Sequence, residues 1–329
     1  MEAASELARR MLQIAEEAQD SFMLELAHCF SGITTHHLGE FIAAGKHFEA
    51  GIDLYRPGQN LPYHALMAPG VGAASESSRN LWILGYPERA LRRVRQAYDL
   101  ADSQSNPSTQ GFAIVFAAII HQLRREEAAC QEKAEAAITL SLEKDISDNI
   151  LWASFLRGWA IARQGRFEEG LAQLCESAAI GQSVGTVIAF PQFLAMTAEA
   201  CARAGQIEEA LTSVDEALAM TKRNCDCYYD AELHRLRGEL LLVNGAAQED
   251  AESCFQQAIE IAQLQSAKSW ELRAAISLAR LWRRQGKTTE ARQTLAEIYG
   301  WFTEGFDTAD LKEARALLDE LHPGSAMEQ

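Results

Sequence analysis

The chain reads as an all-α solenoid of about seven helix hairpins with a period near 40 residues, and three observations predict it. The first is composition. Of 329 residues, 48% are apolar, only 7 are proline and 21 are glycine, and Ala, Leu, Glu, Gln and Arg, all good helix formers, dominate the rest. The second is a recurring phrase: a turn glycine, a few polar residues, then a small residue that opens an apolar stripe. It stands as LGEFIAA (38–44), LGYPERA (84–90), QGRFEEG (164–170), AGQIEEA (204–210) and QGKTTEA (285–291), with LRREEAAC and NGAAQEDA as degenerate copies. The third is register. The small residue is Ala44, Ala90, Cys130, Gly170, Ala210, Ala251 and Ala291, at spacings of 46, 40, 40, 40, 41 and 40. Such regularity marks a repeat architecture rather than a generic bundle.

Each part of the unit has a steric reason. Two antiparallel helices joined by a tight turn approach most closely just after it, so Ala, Gly or Cys belongs there. A second small residue recurs in the first helix: Gly32, Ser78, Ala118, Gly158, Ala198, Gly238 and Ala279. Phe48, Val94, Ala134, Leu174, Val214, Phe255 and Leu295 stand four residues after the register position, and a small or medium residue recurs seven after it. This is the i, i+4, i+7 stripe of a helix buried against neighbours. The small–turn–small pattern resembles tetratricopeptide repeats, whose usual period is 34. The resemblance implies a right-handed superhelix, and the longer period implies longer hairpins.

The whole of 1–329 is expected to form one helical-repeat domain. Residues 1–20 read as a half-repeat, because ELARRMLQIAEEA has second-helix spacing and no first helix before it; they form a capping helix or continue an array. Residues 21–302 hold seven hairpins, the least regular places being Arg56–Pro69 and Asp102–Thr109. After Gly305, Asp307 or Thr308 caps a final helix within 307–321, and the tail HPGSAMEQ is expected to fray.

The formal charge of −16 sets an average field that repels a phosphate backbone, so no direct nucleic-acid partner is expected. No run approaches 18 uncharged apolar residues, so no membrane span is expected, and the charged, amphipathic start lacks the core of a signal peptide. Seven scattered cysteines, mostly at apolar helical positions, suit a reducing cytoplasm rather than a disulfide framework. No phosphate loop or H-E-x-x-H helix is present. Cys225-Asp226-Cys227 is a lone C-x-C without a second ligand pair, and His28, His36, His37 and His47 read as partner-facing or ordinary polar histidines. His121 with Arg124 reads as a packed or solvated pair, and Glu168-Glu169 and Glu208-Glu209 as helix-start acids. No catalytic residue, metal or cofactor is assigned, and the chain is expected not to be an enzyme.

In tetratricopeptide arrays the first helix of each hairpin lines the concave face. That rule maps a groove that is aromatic in the middle, with Phe112, Trp152, Phe155 and Trp159. Towards the C-terminal end it becomes charged, with Arg203, Arg235, Arg273, Arg280 and Arg283 set among Glu199, Glu232 and Glu239. Arg273, Arg280 and Arg283 share a helix face, and guanidinium groups there suit carboxylates of a peptide terminus or acidic segment. The competing reading puts the tryptophans in the core and pairs the arginines with the glutamates across helices.

The wording inside the repeats is more specific than the generic motif. The phrases LGEFIAAGKHFEAGIDLY (38–55), APGV (68–71), LWILGYPERALRR (81–93), HQLR (121–124), RGWAIARQG (157–165), DAELHRLRGELLL (230–242) and GFDTADLKEARALLDEL (305–321) span nearly the whole chain. They resemble the C-terminal tetratricopeptide region of bacterial multidomain proteins that join a class III adenylate/guanylate cyclase, or another signalling module, to an AAA-type signalling ATPase. The resemblance implies a cytoplasmic interaction or sensing arm. Its partner would be a peptide, a protein segment or a small effector, the ATPase or cyclase module of the same polypeptide being one candidate, and self-association is open to it. Two positions depart from the family: Ala68 stands where an Asp precedes Pro-Gly-Val, and Arg125 replaces a turn glycine. The alternatives are an effector-binding and oligomerisation domain of a transcription regulator, or a free-standing scaffold.

Overall fold

The computed structural model describes residues 1–56, 67–103, 106–147, 149–183, 185 and 188–322. Most of Arg56–Pro69, two residues of Asp102–Thr109 and most of the C-terminal tail lie outside the described residues. Those described form sixteen helices and no strand. Helix α1 (Glu2–Ala18) is followed by paired helices: α2 and α3 (Ser21–His37, Phe41–Leu54), α4 and α5 (Pro69–Ile83, Pro87–Asp102), α6 and α7 (Pro107–Leu123, Glu127–Glu143), α8 and α9 (Ile150–Arg163, Phe167–Ser183). The pairs continue with α10 and α11 (Phe190–Arg203, Ile207–Asn224), α12 and α13 (Asp230–Val243, Gln248–Leu264), and α14 and α15 (Lys268–Arg284, Thr288–Trp301), before a last helix, α16 (Ala309–Glu320). The fold is the tetratricopeptide-like helical-repeat solenoid that the 40-residue period predicts.

The hairpins are built on complementary volumes. All seven register residues are buried. A Cβ added to Gly32 would meet the Phe48 ring at 2.5 Å, and one added to Gly238 would meet the Phe255 ring at 2.6 Å. In these two hairpins the second helix sends a large ring into the gap left by glycine, at Gly158 it sends Leu174, and where the first helix carries Ala118 the partner is Ala134. Such matching fills the interface at the density of a protein interior. At Gly170 the close neighbours are backbone: Ala162 N at 2.5 Å and Gly158 O at 2.6 Å from an added Cβ.

The turns inside the hairpins share a left-handed residue: Gly39, Gly85, Gly165, Gly205, Gly245 and Gly286, with φ between 77° and 96°, and Arg125 with φ 61°. At Arg125 the amides of Arg125 and Glu126 bond the carbonyls of Gln122 and His121, as the corresponding amides do in the glycine turns. The backbone path is the same, so the side chain makes it costlier, by about 1–3 kcal/mol for a non-glycine residue held there.

The array turns far enough to meet itself. Trp82 of α4 packs edge-on against Trp270 of α14, ring centroids 4.7 Å apart, and Ser269 Oγ donates to the Trp82 carbonyl. The Cys227 amide donates to the His37 carbonyl at 2.7 Å. Nearby, Glu304 accepts from the amides of Glu88 and Arg89, and Glu88 accepts from the Gly305 amide, so the C-terminal segment caps α5. Sandwiched between its own hairpin and α14, α4 is buried along its whole length. The closing seam encloses a polar cluster. His37 Nδ1 lies 2.7 Å from Asp226, Arg79 donates to Glu76 at 2.5 Å, and the Arg79 guanidinium sits over the Tyr228 ring at 5.0 Å. His36 Nδ1 pairs with Asn80 Oδ1 at 3.0 Å, while its Nε2 has no partner among the described residues. His36 and His37 are thus buried at an intramolecular seam, which corrects the expectation of partner-facing or ordinary polar histidines. Sequence alone does not show that the chain returns to cover them.

Burial, reinforced by the charges of Arg79 and His37, holds the His36 imidazole well below its usual range. The unfolded chain therefore takes up that proton first, and the stability His36 contributes at neutral pH is lost as pH falls below about 6.5. Glu25, pushed up to about 7 by burial, has the opposite sign: its contribution is full below its unfolded value and is lost as pH rises through 7.

Two outcomes are expected. Gly170→Val should lower stability by about 3 kcal/mol, because backbone atoms cannot give way; an unchanged urea midpoint would contradict the packing. In urea titrations at pH 7.5, 6.5 and 5.5, the stability advantage of wild type over His36→Gln should shrink with each step down. A constant difference would show that His36 does not titrate between the two states.

Candidate functional site

Closure leaves one end of the concave side open. A cavity of about 330 Å³ lies towards the C-terminal ends of the first helices, lined by Gln122, Arg125, Trp159, Arg163, Glu199, Arg203, Glu232, Arg235, Glu239, Arg273, Arg280, Asp310 and Glu313, with Leu236, Leu240, Val243 and Ile276 as an apolar wall. Six arginines face five carboxylates there, whereas the chain as a whole carries −16. Arg163 and Arg203 belong to the last turns of their helices, where the unpaired carbonyl ends favour positive charge.

The 40-residue period explains how the lining assembles. Residues one period apart occupy the same place on adjacent first helices, so Trp159 Nε1 donates to Glu199 at 3.0 Å. Ser277 donates to Glu239 at 2.7 Å and Arg273 reaches Glu232 at 3.4 Å. Most guanidinium groups are engaged. Arg235 bridges Glu232 and Glu239, each at 2.7 Å. Arg273 bonds Asp310 at 2.9 Å and the Leu123 carbonyl at 2.6 Å, and its guanidinium lies over both Trp82 and Trp270. Arg163 holds Glu127 at 2.9 Å, Arg280 pairs with Glu313, and Arg125 bonds Asp310 at 3.1 Å and Glu313 at 2.5 Å.

Arg203 differs. No hydrogen bond or ion pair joins it to any described residue. Burial and the neighbouring charge of Arg163 push its guanidinium below its usual value, offset in part by Glu199 and Glu127. It is an exposed cation at the cavity rim that Glu199 and Glu127 influence through space without forming an ion pair.

Of the groove residues expected from sequence, Trp159, Arg203, Arg235, Arg273 and Arg280 do line the cavity. Phe155 does not: it is fully buried and stacked on Phe193 at 3.8 Å. Trp152 lies edge-on to Phe193 at 4.9 Å, and Phe112 packs on Phe116 at 4.7 Å; both are half-buried outside the cavity. Arg283, on the exposed end of α14, pairs with Glu320. Of the mapped aromatic middle, Phe155 is therefore core, packed against the adjacent first helix, while Phe112 and Trp152 pack on the edge of the core. Arg125, Arg163, Asp310 and Glu313 escaped the mapping, although the Arg125-for-glycine exchange was a visible signal for the first. His121 and Arg124 both pair with Glu126, at 2.6 and 2.8 Å.

No family model matches the sequence. An uncharacterised protein of Rhizobium meliloti (strain 1021) is 26% identical over 283 residues, 83% of this chain, and the chain spans 26% of that protein's length. Among solved structures, a Rap protein complexed with Competence and Sporulation Factor superposes over 99% of this chain and 95% of its own, with TM-score 0.64 and 9% identity. The Rap conjugation gene regulator of plasmid pLS20, in complex with the Phr* peptide, covers 93% of this chain and 77% of its own, with TM-score 0.62 and 14% identity. These likenesses establish the fold. Among the described residues no helix is long and apolar enough to cross a membrane.

The pairing pattern separates framework from free charge. Arg235→Ala should cost about 3 kcal/mol, because the buried Glu232 loses its main partner, whereas Arg203→Ala should change stability by less than about 0.5 kcal/mol. Thermal melts of both variants check this, and equal losses would contradict it.

Proposed function

We propose that the chain is a non-catalytic binding arm of a bacterial signalling protein, and that it takes a peptide or protein segment in the cavity at the ends of α8, α10, α12 and α14. The observation that carries this reading is Arg203, a guanidinium without an ion pair at the edge of a cavity whose other five arginines are each paired with a carboxylate. A ligand carboxylate supplies the missing counter-charge. Glu199 and Glu239 offer acceptors for backbone amides or an amine, and the Leu236–Val243 wall takes apolar side chains. A peptide has all three kinds of group, which favours it over a purely apolar effector.

The two structural neighbours support the reading in kind, since both are complexes, one with a peptide and one with Competence and Sporulation Factor. The chain's share of its longer relative is consistent with an arm of a larger protein. The phrases resembling the region after a signalling ATPase suggest which kind, and a nucleotidase or cyclase module would then be its partner in the same polypeptide. Arg163, Arg203 and the half-exposed Arg280 are assigned to ligand contact. Trp159 and Arg235 are assigned to shaping the cavity, and Arg273 does so while it is bound to Asp310.

The test is capture with a displayed peptide library, followed by titration of an enriched peptide. Arg203→Glu should weaken binding at least tenfold with an unchanged melting temperature. Retained affinity in that variant would remove the site.

A further inference from the structure

We propose that α16 is an internal stand-in for an acidic ligand: Asp310 and Glu313 occupy cavity arginines that a partner segment with carboxylates at the same helical spacing takes in their place. The inference rests on the peptide-binding reading above and gives the ligand its chemistry.

Three observations lead there. First, Asp310 and Glu313 are the cavity acids that do not belong to a hairpin; Glu199, Glu232 and Glu239 all stand on first helices. One turn apart on α16, the two face the same way and together hold Arg125, Arg273 and Arg280. Without them the cavity sets six arginines against three carboxylates, an anion site with no anion.

Second, Arg125 stands where six sister turns have glycine, in a left-handed conformation. Its guanidinium donates to Asp310 and Glu313 of α16. The strained side chain thus serves the contact between the third hairpin and the C-terminal helix, 185 or more residues away. A turn that needed only to reverse the chain would be easier to form with glycine.

Third, α16 is fastened along two separable faces. Leu311, Ala314, Leu317 and Leu321 pack on the last hairpin, whereas the acidic face meets the cavity. The apolar face covers the end of the solenoid, as a terminal cap must, but a cap needs no carboxylates aimed into the concave side. An acidic helix laid across the cavity mouth shows the form that a partner's segment would have: carboxylates at i and i+3 on one face, apolar residues on the next.

The experiment uses the full chain and a free peptide with the sequence of residues 305–321. Hydrogen exchange of the amides in 309–320 reports release of α16, and fluorescence anisotropy of labelled peptide reports its binding. In wild type the peptide should bind weakly and speed exchange only at high concentration. In the Asp310→Asn/Glu313→Gln variant it should bind at least tenfold tighter, with an affinity that falls as salt is raised, and a peptide with Asn and Gln at those two positions should lose the advantage. Arg125→Gly, which restores the turn residue of the sister repeats, should raise exchange in 309–320 at least tenfold while the other helices keep their protection. The proposal is overturned if the double variant, folded by circular dichroism, binds the acidic peptide no better than wild type, or if Arg125→Gly leaves exchange in α16 unchanged. Should Arg203→Glu still weaken the peptide in such a case, the binding reading stands and only the stand-in fails. Should the double variant not fold, the Arg125→Gly exchange result decides alone.

Discussion

The contact between the second and seventh hairpins governs the rest of the structure. A solenoid in which each unit touches only its neighbours has an open concave face. Here Trp82 reaches Trp270, and the Arg273 guanidinium lies over both rings. Aromatic pairs of this kind add about 0.5–1.5 kcal/mol beyond the area they bury, and they bring ends of the array together. Arg273 then extends from the seam to Asp310 and Glu232 in the cavity. The closed axis and the charged cavity are one construction: the seam fills part of the concave side with core and leaves the remainder as a bounded pocket.

Closure also explains an otherwise costly set of groups. His36, His37, Arg79, Glu76 and Asp226 are all buried, and burial of charge is tolerated only with partners. Arg79 and Glu76 pair within α4, but His37 depends on closure: Asp226 from the turn after α11 meets it from 189 residues away. Tyr228 from the same turn supplies its ring to Arg79 and donates to Gln192. Opening the ring would strand these groups together, so the polar cluster specifies one closed arrangement more than it adds net stability.

The repeat geometry gives the cavity its chemistry. Tight turns place the last residues of α8 and α10 at one rim, so Arg163 and Arg203 stand side by side there, exactly one period apart in register. Arg163 meets their mutual repulsion with an ion pair to Glu127, whereas Arg203 has only the more distant fields of Glu199 and Glu127. Elsewhere in the lining each cation was given its acid, two of them from the helix that follows the last hairpin.

The sequence by itself determined the period, the hairpins and which small residues would be buried, because these depend on spacing within about 40 residues and on the steric limits of two close backbones. It also showed arginines and glutamates on the first helices, and an arginine where a turn glycine belongs. It misplaced Phe155 in a groove and read His36 and His37 as partner-facing or ordinary polar residues, since a helical face reads the same whether solvent or a distant helix covers it. Tertiary structure alone decided that the array meets itself, which part of the axis fills, and which guanidinium remains without a carboxylate. Those outcomes depend on small rotations summed over seven hairpins and on contacts between residues up to 223 positions apart, and no local pattern records that sum.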